Sequence, residues 1–136
     1  MKVKASHPMK SRKSRVARLQ GIGIDLVSLD RIKRFIKDHG KQAARRLLSR
    51  TEFVQWSQSR NAALGFAKWF AAKEAFFKAV NGTWLGVEGF RSIEIRWQSA
   101  NRFQGKIRTA KGLIHQADGS VFASPEWVGA QVLDWK

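Results

Sequence analysis

Asn61-Ala62-Ala63-Leu64-Gly65-Phe66-Ala67-Lys68-Trp69-Phe70-Ala71-Ala72-Lys73-Glu74-Ala75-Phe76-Phe77-Lys78-Ala79-Val80 is the longest helical pattern in the chain. Leu64, Phe66, Phe70, Phe77 and Val80 recur at helix spacing, alanines fill the gaps, and Asn81-Gly82 stops the run. Glu74 and Lys78 share one face of this helix, about 6 Å apart along its axis. A Glu-to-Lys pair at that spacing is also ordinary decoration of a solvated helix. Its meaning therefore depends on what lies opposite.

Working outward, Leu19 to Leu26 alternates small and apolar residues and predicts a strand with Asp25 near its end. Ser28 has the position of a helix N-cap and Gly40 that of a helix stop. Between them and beyond, Leu29, Ile32, Phe35 and Ile36, then Ala43, Ala44, Leu47 and Leu48, predict two short amphipathic helices. Ser49 and Glu52 have capping-box spacing, which starts another short helix over 51–58. After the long helix, Phe90 to Trp97 predicts a strand with Ile93, Ile95 and Trp97 on one face. A weaker strand follows over Phe103 to Thr109. Gly119 to Ala123 and Trp127 to Trp135 predict a closing hairpin around Ser124-Pro125-Glu126. One N-terminal strand, a helical block with one long helix and then an antiparallel sheet define an α+β domain over residues 19–136.

Charge is the second guide. The net charge of +16 calls for a polyanionic partner, with nucleic acid, an acidic protein and an anionic cofactor all open. Residues 1–18 carry Lys2, Lys4, Lys10, Arg12, Lys13, Arg15 and Arg18 without an acid and without apolar periodicity, which predicts a mobile basic arm. Its composition is shared by organelle-targeting peptides, but it lacks the apolar core of a secretory signal. Between 31 and 50, Arg31, Lys33, Arg34, Lys37, Lys41, Arg45, Arg46 and Arg50 face only Asp38. Solvated helix faces usually mix signs, so this one-sided run suits docking of an acidic partner. The absence of cysteine excludes disulfides and thiolate metal sites and fits a cytoplasmic setting. No apolar run has the length of a membrane span, so no membrane partner is expected.

A magnesium ion takes hard oxygen ligands, typically one or two carboxylates with water and substrate phosphate oxygens. Asp25 and Glu74 form such a pair if the strand end lies against the long helix, and Lys78 would then neutralise a phosphate beside the metal. Asp25 alone reads equally as a capping residue. Gly21-Ile22-Gly23 is too short for a dinucleotide fingerprint. The three histidines, His7, His39 and His115, have no metal-ligand spacing.

These residues resemble the holo-acyl-carrier-protein synthases, the small 4′-phosphopantetheinyl transferases. The resemblance runs through Gly21-Ile22-Gly23-Ile24-Asp25-Leu26-Val27 with Arg31-Ile32, then Arg46-Leu47-Leu48-Ser49-Arg50-Thr51-Glu52, then Phe66 to Ala75 with Lys78-Ala79. It implies transfer of phosphopantetheine from coenzyme A to a serine of an apo acyl carrier protein, with release of 3′,5′-ADP. By matched position it implies Asp25 and Glu74 as magnesium ligands, Glu74 and Lys78 as the catalytic pair, and Lys78 and Lys73 against coenzyme A. It further implies Arg31, Arg34 and Arg46 as the docking surface for an acidic carrier protein, and a homotrimer.

Two positions depart from the family pattern. Trp69 stands where an arginine is usual, and Ala123 where a histidine is usual, which removes two anion contacts. A non-catalytic relative that binds carrier protein or coenzyme A without transfer is therefore a second reading. A nucleic-acid module is the third. Its charge fits, but the aromatics sit at core-like spacings rather than among the basic residues.

Overall fold

The computed structural model describes residues 2–6, 16–82, 89–109 and 111–136. Most of the predicted basic arm, including residues 7–15, lies outside the described residues. Strand β1 (Leu19–Ser28) is followed by helices α1 (Leu29–Leu47), α2 (Arg50–Ser57) and α3 (Ala62–Ala79). A 3-10 turn (Gly89–Ser92) then leads into β2 (Glu94–Trp97), β3 (Arg102–Arg108), β4 (Ile114–Ala123) and β5 (Trp127–Trp135). The strands form one antiparallel sheet in the order β1-β5-β4-β3-β2. The first strand therefore pairs with the last, and Asp25 lies opposite Ala130. This is the α+β architecture that the sequence predicts.

The helix starts follow local chemistry. Ser28 accepts from Arg31 N, Asn61 from Leu64 N, and Ser49 and Glu52 form a complete capping box. The two short helices expected on either side of Gly40 meet there end to end. Gly40 has φ 54° and ψ −139°, a conformation that favours glycine, and it breaks α1 in two.

Two strand expectations shift. The first residues of the predicted Phe90–Trp97 strand form the 3-10 turn, closed by Ser92 Oγ donating to Gly89 O at 2.6 Å. The hairpin strand begins at Ile114 rather than Gly119. Its early residues, Gln116 and Asp118, face solvent and lack the apolar alternation that marks a half-buried strand.

Helix α3 packs chiefly on β1 and β5. Its Phe76, with Phe103, Ile93, Val128 and Val132, forms the centre of the core. Strand β1 turns Gly21, Gly23, Asp25 and Val27 toward this helix, and Ile22, Ile24 and Leu26 away from it. The glycines make the close approach possible. A Cβ on Gly21 would collide with the carbonyl of Ala79, and one on Gly23 with the carbonyl of Ala75. The small–apolar alternation of β1 is thus a helix-docking face backed by an exposed apolar face.

Candidate metal and phosphate site

Because Gly21 and Gly23 let α3 lie directly on β1, Asp25 meets the C-terminal half of the helix. Lys78 Nζ donates to Asp25 Oδ1 at 3.0 Å and to the Ile24 carbonyl at 2.9 Å. The lysine side chain remains about half exposed, 47%, whereas that of Asp25 is 15% exposed. The second oxygen, Asp25 Oδ2, is buried and has no hydrogen-bond partner. One helical turn before Lys78, Glu74 opens into the same groove as Asp25. Burial pushes the Glu74 carboxyl above its ordinary proton affinity, the charge of Asp25 pushes it further, and Lys78 pulls it back.

The groove has a volume of about 630 Å³ and runs between β1, α1 and α3. Arg31 and Arg34 rim it, and Phe35, Phe66 and Phe70 form its apolar wall. A neighbouring groove shares those three phenylalanines and carries His39, Gln42 and Arg46. The three arginines expected to dock a partner therefore line the carboxylate groove and its immediate neighbour. All three are exposed.

The donor set suits a hard divalent cation. Among the described residues no cluster of three or more His, Cys, Asp or Glu side chains forms a metal cage. Two carboxylates, one with a buried oxygen lacking any partner, match an ion that completes its shell with water and phosphate. The cost that the charge of Asp25 adds to ionising Glu74 is also relieved by such an ion.

Lys73 does not fit the role expected for it. Its side chain is fully buried, and its ammonium is spent on Glu52 Oε2 at 2.7 Å, Leu47 O at 2.8 Å and Phe90 O at 2.9 Å. Those three acceptors use all three of its hydrogens. Burial lowers its pKa while Glu52 raises it. Lys73 is a core strut, not a coenzyme contact, because α3 turns it away from the groove.

Trp69 is also buried. Its ring meets Trp97 edge-on at 5.7 Å, and it is absent from the lining of both grooves. Ala123 lies exposed at the end of β4, opposite Val128.

Sequence reasoning missed the groove's apolar wall. Phe66, Phe70, Glu74 and Lys78 follow each other at four-residue spacing, so the aromatic half and the charged half belong to one stripe. Phe66 belongs to the core and Phe70 packs against it, and both also present a surface to the groove. The charged continuation of their stripe was the signal that they border a cleft.

A family model described as the 4′-phosphopantetheinyl transferase superfamily matches residues 21–128. The chain is 44% identical over 77 residues to the holo-[acyl-carrier-protein] synthase of Neisseria meningitidis serogroup A. That match spans 57% of this chain and 62% of the relative, which is less than two thirds of its length. The corresponding protein of Nautilia profundicola is 43% identical over 102 residues, 74% of this chain and 86% of that one. The crystal structure of the Neisseria meningitidis synthase superposes with a TM-score of 0.68 at 30% identity, covering 88% of this chain and 100% of that chain.

Proposed function

The chain belongs to the 4′-phosphopantetheinyl transferase superfamily, and from that premise we propose that it moves 4′-phosphopantetheine from coenzyme A to a serine of an apo acyl carrier protein. One observation carries this reading: Asp25 and Glu74, distant in sequence, line one groove rimmed by Arg31 and Arg34, and Lys78 is paired to Asp25. Asp25 Oδ2 and Glu74 would hold Mg2+, which when bound supplies charge compensation to the pyrophosphate as its bond breaks. Lys78 pairs with a phosphate oxygen. The serine Oγ forms a bond to the pantetheine-bearing phosphorus, the phosphoanhydride P–O bond breaks, and 3′,5′-ADP leaves. Glu74, or a water it holds in the groove, would take the serine proton.

The exposed arginines along α1 steer and seat an acidic carrier protein beside the groove. The exposed apolar face of β1 and β5, with Ile22, Ile24, Leu26, Leu133 and Trp135, supports a homotrimer in which copies cover it. Among the described residues no helix is long and apolar enough to cross a membrane; a cytoplasmic setting is part of the proposal.

Intact-mass measurement of an apo acyl carrier protein, incubated with this chain, coenzyme A and magnesium, tests the reading. The expected result is the gain of one phosphopantetheine, abolished by EDTA. No gain across carrier proteins of several pathways, with coenzyme A still bound, would establish the non-catalytic reading that Trp69 and Ala123 raise.

A further inference from the structure

We propose that Lys78 is a resident counter-ion of the Asp25–Glu74 pair, so that the site binds a free divalent cation weakly and takes it well only together with a diphosphate that accepts the lysine. The inference rests on the metal assignment above and adds an order to it.

Three observations carry it. Lys78 Nζ already occupies one oxygen of Asp25, at 3.0 Å, and is held there by a second bond to the Ile24 carbonyl. The carboxylate pair therefore meets an incoming ion with one of its two charges compensated. The other oxygen, Oδ2, is buried and unpartnered, so the aspartate is divided between an oxygen paired with the lysine and one left unpaired. Finally, the lysine is about half exposed, which leaves its ammonium free to turn toward a ligand entering the groove.

A dication brought within a few ångströms of a fixed ammonium is repelled, and the repulsion amounts to about tenfold in affinity even at the dielectric constant of water. A diphosphate removes the penalty because its oxygens bond the metal and the lysine together. Metal and diphosphate then bind with positive coupling, and each raises the affinity of the other by the same factor. A site of this kind loads metal with its substrate and leaves its carboxylates paired when empty.

The test is a titration of the full chain with Mn2+, a spin-active stand-in for magnesium, followed by the loss of the free-ion paramagnetic resonance signal at low ionic strength. Wild type, Lys78→Met, Lys78→Arg and Asp25→Asn are compared, each with and without coenzyme A. The expected results are that K78M binds Mn2+ alone at least about tenfold tighter than wild type and that K78R stays near wild type. Coenzyme A should tighten Mn2+ binding strongly in wild type and much less in K78M. Equal or weaker Mn2+ binding by K78M overturns the inference, as does undiminished coupling to coenzyme A. D25N separates the two levels: its loss of Mn2+ binding upholds the metal assignment whatever K78M does. Unchanged binding in D25N overturns that assignment and the counter-ion role with it.

Discussion

At the scale of single residues, Glu74 has the clearest chemical signature. Burial and the neighbouring Asp25 both favour its protonated form in the metal-free protein. The folded state therefore holds this proton more tightly than the unfolded chain. Stability from this group is lost as pH rises from the ordinary glutamate value through the raised folded one, and above that range the ionised carboxylate is a net cost. Glu74→Gln is expected to raise the melting temperature of the metal-free protein at neutral pH, with the gain vanishing toward pH 4. The same variant should lower transfer by about 10²- to 10⁴-fold, the range for loss of a proton acceptor. Melting curves across pH and a turnover assay check the two halves separately. A neutral-pH melting temperature unchanged by the substitution would show that Glu74 is not charge-stressed.

At the scale of elements, two contacts fix where α3 sits. The first is its backbone against β1. Gly23→Ala places a Cβ on the Ala75 carbonyl, so strand or helix must move. Crowding a packed interface costs about 1–3 kcal/mol, and this clash is with backbone rather than a flexible side chain. Urea unfolding should show a loss at or above the top of that range. Because the displaced contact is the one that brings Asp25 to Lys78, divalent-ion binding should weaken in the same variant. The second contact is the Glu52 carboxylate. It accepts from Ser49 N at 2.8 Å, from Ile95 N at 2.7 Å and from Lys73 at 2.7 Å, and so joins α2, the edge strand β2 and α3. Lys73→Met leaves a buried carboxylate without its counter-charge, and breaking such a pair costs about 3–5 kcal/mol. The double variant with Glu52→Gln should recover part of that loss, since neither charge is then left alone. Chemical denaturation of the two variants decides it, and a double variant no better than K73M would show that the backbone bonds of Glu52 dominate.

At the scale of the whole molecule, the sheet is covered by helix on one side only among the described residues. Ile22, Ile24 and Leu26 are each more than half exposed, and Trp135 on the neighbouring strand is 53% exposed. They alternate with Gly21, Gly23, Asp25 and Val27, which face α3, so Ile22, Ile24 and Leu26 serve solvent or a partner while Val27 joins the core. Ile24→Lys is expected to leave the fold intact and to reduce the proposed homotrimer to monomer, since a charge at the centre of an apolar contact is left unpaired when buried. Light scattering at matched concentration reads this directly. An unchanged mass would remove β1 from the proposed trimer contact.

The sequence by itself determined the elements, because caps, glycine stops and periodicity act within a few residues of where they stand. Ser28, Gly40, the Ser49–Glu52 box and Asn61 mark helix boundaries that local hydrogen bonding produces whatever the tertiary context. The Glu74–Lys78 spacing and the glycine strand that carries Asp25 were also legible as local patterns, but the pairing of Lys78 with Asp25 needed α3 to lie on β1. Tertiary structure alone decided which lysine of α3 meets Asp25. One step along a helix turns a side chain by about 100°, and the placement of α3 on β1 puts Lys73 in the core and Lys78 at the cleft. It also decided that Trp69 packs on Trp97, that Phe66 and Phe70 wall a groove, and that the apolar face of β1 points outward. Each of these depends on what a given face meets across the fold, and that information is held by residues 20 or more positions away.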